Sequence, residues 1–130
     1  MRCQQEWAGV VKKEISSDKL AKLISRFASD IKAQKIVILD MRRVVNFCDY
    51  FVLCSGTSTR QVRSIAEGIE DGLEEQHGIR TRFKQGMKEG RWILLDFGTV
   101  VVHVFESDAR EFYGIEYLWK GADRVDWIEE

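Results

Sequence analysis

A short apolar run that leads directly into an amphipathic helix limits the folds open to this chain more than any other feature. The run Y-F-V-L-C at 50–54 has the length and residue types of a buried strand. After the loop C-S-G-T-S-T-R-Q, apolar residues recur at helical spacing through Val62, Ile69 and Leu73. We interpret this strand and helix as a crossover unit whose second strand is the one predicted at 79–84.

Similar patterns predict the other elements. They are a helix at 18–33, a buried strand at 35–41, strands at about 91–97 and 100–106 joined by a tight F-G-T hairpin, and a helix from about 108 to 119. Asp108 and Glu111 have capping-box spacing at the start of the last helix. Together the elements predict an α/β or α+β fold, with a mixed sheet of about five strands flanked by helices.

Length and charge predict a single small domain without a general affinity for nucleic acid. The 130 residues suit one core, which we place at 17–122, between an N-terminal arm at 1–16 and a C-terminal tail at 123–130. Twenty basic and 21 acidic residues give a net charge of −1. The segment 80–91 is a local exception, because it holds five basic residues and one acidic residue. It is interpreted either as a solvated hairpin or as a peripheral contact to RNA.

The chain is predicted to be cytoplasmic. No window approaches the roughly 18 consecutive apolar residues of a membrane span, and the first residues lack the apolar core of a signal peptide. The three cysteines are odd in number and form no C-x-x-C pair, which fits a reducing compartment.

The loop after the 50–54 strand has two interpretations, a phosphate cradle or a helix cap. A P-loop needs a second glycine and a lysine, whereas this loop has only Gly56 and no lysine. Ser58 and Gln61 instead form an S-x-x-Q capping box, in which Gln61 reaches back to the N–H of Ser58. We favour the cap, although a weakly held anion at the helix N-terminus stays open.

Three catalytic or metal-binding arrangements can be written from the sequence, and each is incomplete. A nucleotidyltransferase needs paired carboxylates for two metal ions, whereas Asp96 and Glu106 are single residues outside any D-x-D pair. A Cys54–His103–Asp96 arrangement needs an exposed thiol, but Cys54 lies in an apolar strand. A zinc site from Cys48, Cys54 and His103 lacks a fourth ligand. We therefore predict no catalytic residues, metal ligands or cofactor.

Alternation along the two hairpin strands predicts one mixed surface. Trp92, Leu94 and Asp96 share one face of their strand, and His103 and Phe105 share one face of the next. If the two faces coincide, large apolar groups surround a few polar ones, as at the centre of a protein interface. The alternative is that a helix of the same chain covers this face and His103 is hydrogen-bonded inside.

Three segments together resemble the ribosomal silencing factor family, also called Iojap-like. They are D-Y-F-V-L-C-S-G-T-S-T-R-Q-V-R-S-I-A at 49–66, W-I-L-L-D-F-G-T-V-V-V-H-V-F at 92–105, and R-E-F-Y-G-I-E-Y-L-W at 110–119. The likeness covers roughly residues 18–122. It implies a fold related to nucleotidyltransferases but without their catalytic carboxylates, and a protein that is not an enzyme.

The resemblance also implies a partner and a binding site. Such proteins bind ribosomal protein fourteen of the large subunit, obstruct joining of the small subunit and lower translation. It places the contact at Trp92 and the neighbouring sheet surface, to which our face assignment adds Leu94, Asp96, His103 and Phe105. Neutral Gln85 and Thr99 replace residues that are commonly acidic in the family. A homodimer that uses the same sheet face is a further hypothesis.

Overall fold

The computed structural model describes residues 15–114, 117 and 119–127. Its elements are α1 (Ser17–Asp30), β1 (Gln34–Asp40), β2 (Tyr50–Gly56), α2 (Thr59–His77), β3 (Phe83–Gln85), β4 (Trp92–Asp96), β5 (Val100–Glu106), α3 (Ser107–Tyr113) and β6 (Asp123–Val125). Residues 1–14 of the predicted arm lie outside the described residues. Within the described part, no helix has the length and apolar character needed to cross a membrane.

The strands form one mixed sheet in the order β3-β4-β5-β2-β1-β6. Among the described strands, β2 and β5 are the only parallel neighbours, and the other neighbouring pairs are antiparallel. Every residue of β2 is buried, as is all of β5 except its last residue. The predicted mixed sheet flanked by helices is therefore confirmed, and a sixth strand is added to the five that were predicted.

The predicted partner of the crossover is wrong. The chain leaves β2, passes through α2 and reaches its parallel partner only at β5, not at 79–84. The 79–84 region contributes only β3, three exposed residues at the sheet edge. Thr81 instead donates a hydrogen bond to Glu70 on α2 (2.7 Å). A central parallel strand must be apolar on both faces, and the run V-V-V-H-V-F meets that requirement better than R-T-R-F-K.

The two long helices cover one face of the sheet. Their buried side chains pack with Ile38, Val52, Cys54, Ile93 and Val102 in the main core. At the end of α2, the glycine at position 78 takes a left-handed conformation (φ 66°), as expected for the residue after a helix. These helices leave the opposite face of the sheet to other parts of the chain.

A second, smaller core lies on the opposite face. Its buried members are Leu39, Met41, Cys48, Phe51, Leu53, Val101 and Phe105. Met41 and Cys48 belong to the connection between β1 and β2, which therefore folds over the sheet. Trp119 also packs against this core, with its ring 5.8 Å from the ring of Phe51 and almost perpendicular to it. This face is thus covered over β1, β2 and part of β5.

The C-terminal part differs from its prediction. The last helix starts at Ser107, and Glu106 is its N-cap residue without a side-chain cap bond, so the predicted Asp108–Glu111 capping box is wrong. α3 ends at Tyr113, and the left-handed Gly114 (φ 55°) follows it, whereas the predicted helix ran without a break to 119; Tyr117 is again helical. Residues 115, 116 and 118 of that prediction lie outside the described residues. Residues 123–125, assigned to the tail, form β6 against β1.

Candidate functional site

The loop before α2 is a helix cap. Ser58 Oγ accepts a hydrogen bond from the backbone N–H of Gln61 (3.1 Å), as predicted. Gln61 Oε1 accepts instead from the N–H and the hydroxyl of Thr57 (2.6 and 2.9 Å), so the predicted return bond to Ser58 is wrong. A Cβ on Gly56 would lie 3.2 Å from two atoms of Val62, so this glycine permits close packing of strand and helix.

The sheet separates the residues of the Cys–His–Asp arrangement. Cys54 belongs to the main core, whereas its neighbour Leu53 pairs with His103 on the opposite face. Adjacent residues of a strand point to opposite faces, so the Cys54 thiol and the imidazole lie on different sides of the sheet. Burial raises the pKa of Cys54 to about 12 and that of Cys48 to about 11. Neither thiol has the character of a nucleophile, and they do not share one zinc site with His103.

The two candidate metal carboxylates lie at opposite ends of the β4–β5 hairpin. Asp96 pairs with Val101, and Glu106 follows five residues further along β5. At about 3.3 Å per residue, their backbones are roughly 16 Å apart, far beyond the spacing of a two-metal site. Asp96 accepts a bond from Gly98 N (2.7 Å) that closes the hairpin turn, and Glu106 pairs with Arg91 (3.7 Å). Both carboxylates have structural partners.

The five predicted surface residues do share one face of the sheet. In the antiparallel β4–β5 ladder, Trp92 lies opposite Phe105, and Leu94 lies opposite His103. Asp96 occupies the same side two residues further along. The predicted coincidence of the two strand faces is therefore confirmed.

These five residues divide into an accessible set and a buried set. Trp92, Leu94 and Asp96 are partly exposed, whereas His103 is only 4% exposed and Phe105 is fully buried. The alternative therefore holds in that His103 and Phe105 are covered and His103 is hydrogen-bonded, but the rings that contact His103 belong to β2, β4 and β5. Burial lowers the pKa of His103 to about 4, so its imidazole is neutral near pH 7.

The indole of Trp92 is held from below and from the side. Its Nε1–H donates to His103 Nδ1 (3.1 Å), and its ring lies 5.0 Å from the ring of Phe105. The ring of Tyr113, on α3, also lies 5.0 Å from the indole. Trp92 thus sits in an aromatic cluster, and its accessible part projects from a rigid base.

Two accessible aromatic residues extend this surface beyond the sequence prediction. Phe83 lies opposite Asp96 in the β3–β4 ladder and is 55% exposed, and Tyr113, beside Trp92, is 47% exposed. We call Trp92, Leu94, Asp96, Phe83 and Tyr113 the Trp92 surface. The alternation in R-T-R-F-K places Phe83 on one strand face, but only the ladder shows which one. Helical spacing in R-E-F-Y-G-I-E-Y-L-W puts Tyr113 and Tyr117 on a stripe apart from the predicted core face, but it does not show that Tyr113 meets Trp92.

The basic segment beside this surface is partly neutralised. Arg80 pairs with Glu74 (3.0 Å), Lys84 with Glu70 (3.3 Å), and Arg91 with Glu106 (3.7 Å). The basic partner of each pair is at least half exposed, so solvent screens the interaction and each pair contributes little to stability. They do reduce the positive field that an RNA backbone would meet at 80–91.

Known proteins match most of the chain. The family described as "Ribosomal silencing factor during starvation" matches residues 14–130. A ribosomal silencing factor of Bacillus subtilis is 40% identical over 107 residues, which cover 82% of this chain and 90% of that protein. The chloroplastic protein Iojap of Zea mays is 34% identical over 104 residues, or 79% of this chain and 44% of that protein. A crystal structure of a Chromobacterium violaceum protein superimposes with a TM-score of 0.78 at 30% identity, covering 89% of this chain and 95% of that one.

Proposed function

The chain belongs to the ribosomal silencing factor family, and from this membership we propose that it binds the large ribosomal subunit and represses translation. The partner on the subunit is ribosomal protein fourteen. The bound protein occupies space that the small subunit needs, so the two subunits do not join. The mechanism is steric, without a cofactor or a catalysed reaction, and the site of action is the cytoplasm.

One observation supports the location of the contact: the Trp92 surface combines accessible aromatic area with a buried base of His103 and Phe105. Tryptophan and tyrosine are enriched among residues that dominate protein interfaces. Trp92 is already ordered by Phe105, His103 and Tyr113, so less side-chain entropy is lost on binding. Asp96 and Gln85 supply polar groups beside the aromatic residues, as in the rim of an ordinary interface.

The roles of the five predicted residues follow from their depth. Trp92, Leu94 and Asp96 contact the partner, and His103 and Phe105 form the layer below them. A contact of about 800 Å² per partner is ordinary for a stable complex. The 80–91 segment contributes a peripheral contact to ribosomal RNA through charges that its ion pairs leave accessible. This contact weakens with added salt.

Replacement of Trp92 by alanine tests the proposal. Trp92→Ala should weaken binding to purified large subunits by about 2 kcal/mol or more, which is roughly 30-fold, because it removes the centre of the contact. Co-sedimentation measures the affinity, and a subunit-joining assay measures the loss of inhibition. Trp127→Ala is the matched control, since Trp127 is also partly buried but packs against the main core.

Two results would contradict the proposal. If the wild-type protein neither sediments with large subunits nor inhibits joining, the function is wrong. If Trp92→Ala is folded and binds as well as the wild type, the site is wrong.

Calorimetry with a nucleotide and magnesium tests the enzyme alternative, which would require tight metal-dependent binding that Asp96→Asn abolishes. Light scattering of the free protein tests the homodimer hypothesis.

A further inference from the structure

The hydrogen bond between Trp92 and His103 determines the state of the imidazole. Trp92 Nε1 is a donor only, so His103 Nδ1 must be the acceptor across the 3.1 Å contact. An accepting ring nitrogen carries no proton, and the single proton of the neutral imidazole is therefore on Nε2. His103 is thus held as one defined neutral tautomer below the accessible surface.

A histidine at position 103 lowers the stability of the native state. Its ring lies 4.6 Å from the ring of Phe51 and stacks almost parallel to that of Phe105. Within the described part of the chain, the buried Nε2 has no hydrogen-bond partner. A buried donor without a partner destabilises the native state, and the somewhat larger, apolar ring of a phenylalanine would not carry that cost. Packing alone therefore does not account for a histidine here.

We propose that His103 is a positioning residue that fixes the orientation of the Trp92 indole for docking. The tilted ring contacts with Phe105 and Tyr113 restrict the plane of the indole, but they leave open which ring edge turns toward the sheet. The bond to His103 holds the N–H edge inward, so that the carbon edge of the ring faces outward beside Leu94. The inference rests on the proposed function, because it assigns a role in the same contact.

A purely structural histidine makes a different prediction. If His103 served only to fill the core, stability and binding would change together when it is replaced. If it positions Trp92, the affinity for the large subunit depends on whether residue 103 offers a hydrogen-bond acceptor. The stability of the native state depends instead on how well the side chain fills the core. Two substitutions separate these effects, because one retains the ring and the other retains the acceptor.

The test compares His103→Phe with His103→Asn. Phenylalanine keeps a ring but has no acceptor, whereas the side-chain oxygen of asparagine occupies nearly the place of Nδ1. His103→Phe should stay closer to the wild type in stability than His103→Asn, yet bind large subunits about five-fold more weakly, the equivalent of one ordinary hydrogen bond. His103→Asn should be less stable but bind within about two-fold of the wild type. Equal binding by His103→Phe and the wild type, or equally weak binding by both variants, would overturn the inference.

A second measurement examines the hydrogen bond without the ribosome. The indole N–H resonance of Trp92 is assigned in a ¹⁵N-labelled sample by its loss in Trp92→Phe. Its exchange with solvent should be at least about ten-fold faster in His103→Phe than in the wild type, since a free indole N–H faces water. Unchanged exchange refutes the positioning role even if binding falls. Absence of wild-type binding to the subunit, with the indole protected, refutes the proposed function, and the docking role of His103 with it.

Discussion

Acidification from pH 7 to pH 5 should destabilise the native protein through His103. Burial lowers the pKa of this imidazole to about 4, compared with 6.5 for a solvated histidine. Between these two values the unfolded chain binds a proton that the native protein does not bind. Stability rises with pH wherever the unfolded state binds more protons, so the native state loses stability as the pH falls below about 6.5.

The size of this loss follows from the difference in pKa. One pKa unit corresponds to about 1.4 kcal/mol, so the full separation is worth about 3 kcal/mol once the pH has fallen to the folded value. At pH 5 roughly 2 kcal/mol of this amount is lost. The rings around His103 belong to Phe51, Trp92 and Phe105, and none of them carries a charge that would favour the imidazolium.

Urea unfolding followed by circular dichroism at pH 7 and pH 5 measures the effect. The wild type should lose about 2 kcal/mol more than His103→Phe over this range, because the variant lacks the group that titrates. Carboxylates such as Asp40, whose pKa the Arg42 guanidinium lowers, contribute equally to both proteins and cancel in the comparison. If the two proteins lost the same free energy of unfolding between pH 7 and pH 5, His103 would be accessible to protons in the native state.

Two further predictions concern the backbone that supports the site. Ser58→Ala should cost about 1 kcal/mol of stability in thermal unfolding by removing the cap of α2, whereas Ser16→Ala, at an N-cap without a side-chain cap bond, should cost less. Gly86→Ala should destabilise by at least about 2 kcal/mol in urea unfolding, because φ is 89° and the new Cβ would collide with the Trp92 carbonyl oxygen. Gly121→Ala, which meets open space, should change stability by less than about 0.5 kcal/mol. A large loss in either control, or none in its partner, would contradict these assignments.

Local patterns in the sequence predicted much of the candidate site. The F-G-T hairpin fixes how β4 and β5 meet, and strict alternation then places Trp92 and His103 on one face. The Ser58 cap was predictable for the same reason, since its bond spans only three residues. Such features depend on neighbours in the chain, and those neighbours can be identified without knowing the fold.

The depth of the site residues was not predictable in this way. His103 is buried because Phe51 on β2 packs against it, and Trp119, far along the chain, packs in turn on Phe51. The bond to Trp92, and the lack of a partner for Nε2 among the residues that the structure describes, are consequences of that environment. An apolar run with one histidine shows only that the histidine is near a core, not what faces each ring nitrogen.

The sequence by itself determined most of the elements, the hairpin and the two-faced character of its strands, because periodicity and turn chemistry act over a few residues. Only the tertiary structure decided that β2 pairs with β5, that residues 123–125 add a sixth strand, and that part of the predicted surface lies beneath the rest. These outcomes depend on which apolar faces compete for burial across the whole chain. Packing between residues distant in sequence decides which faces are buried. The Trp92 side chain is therefore partly exposed, whereas His103 is buried and accepts its hydrogen bond.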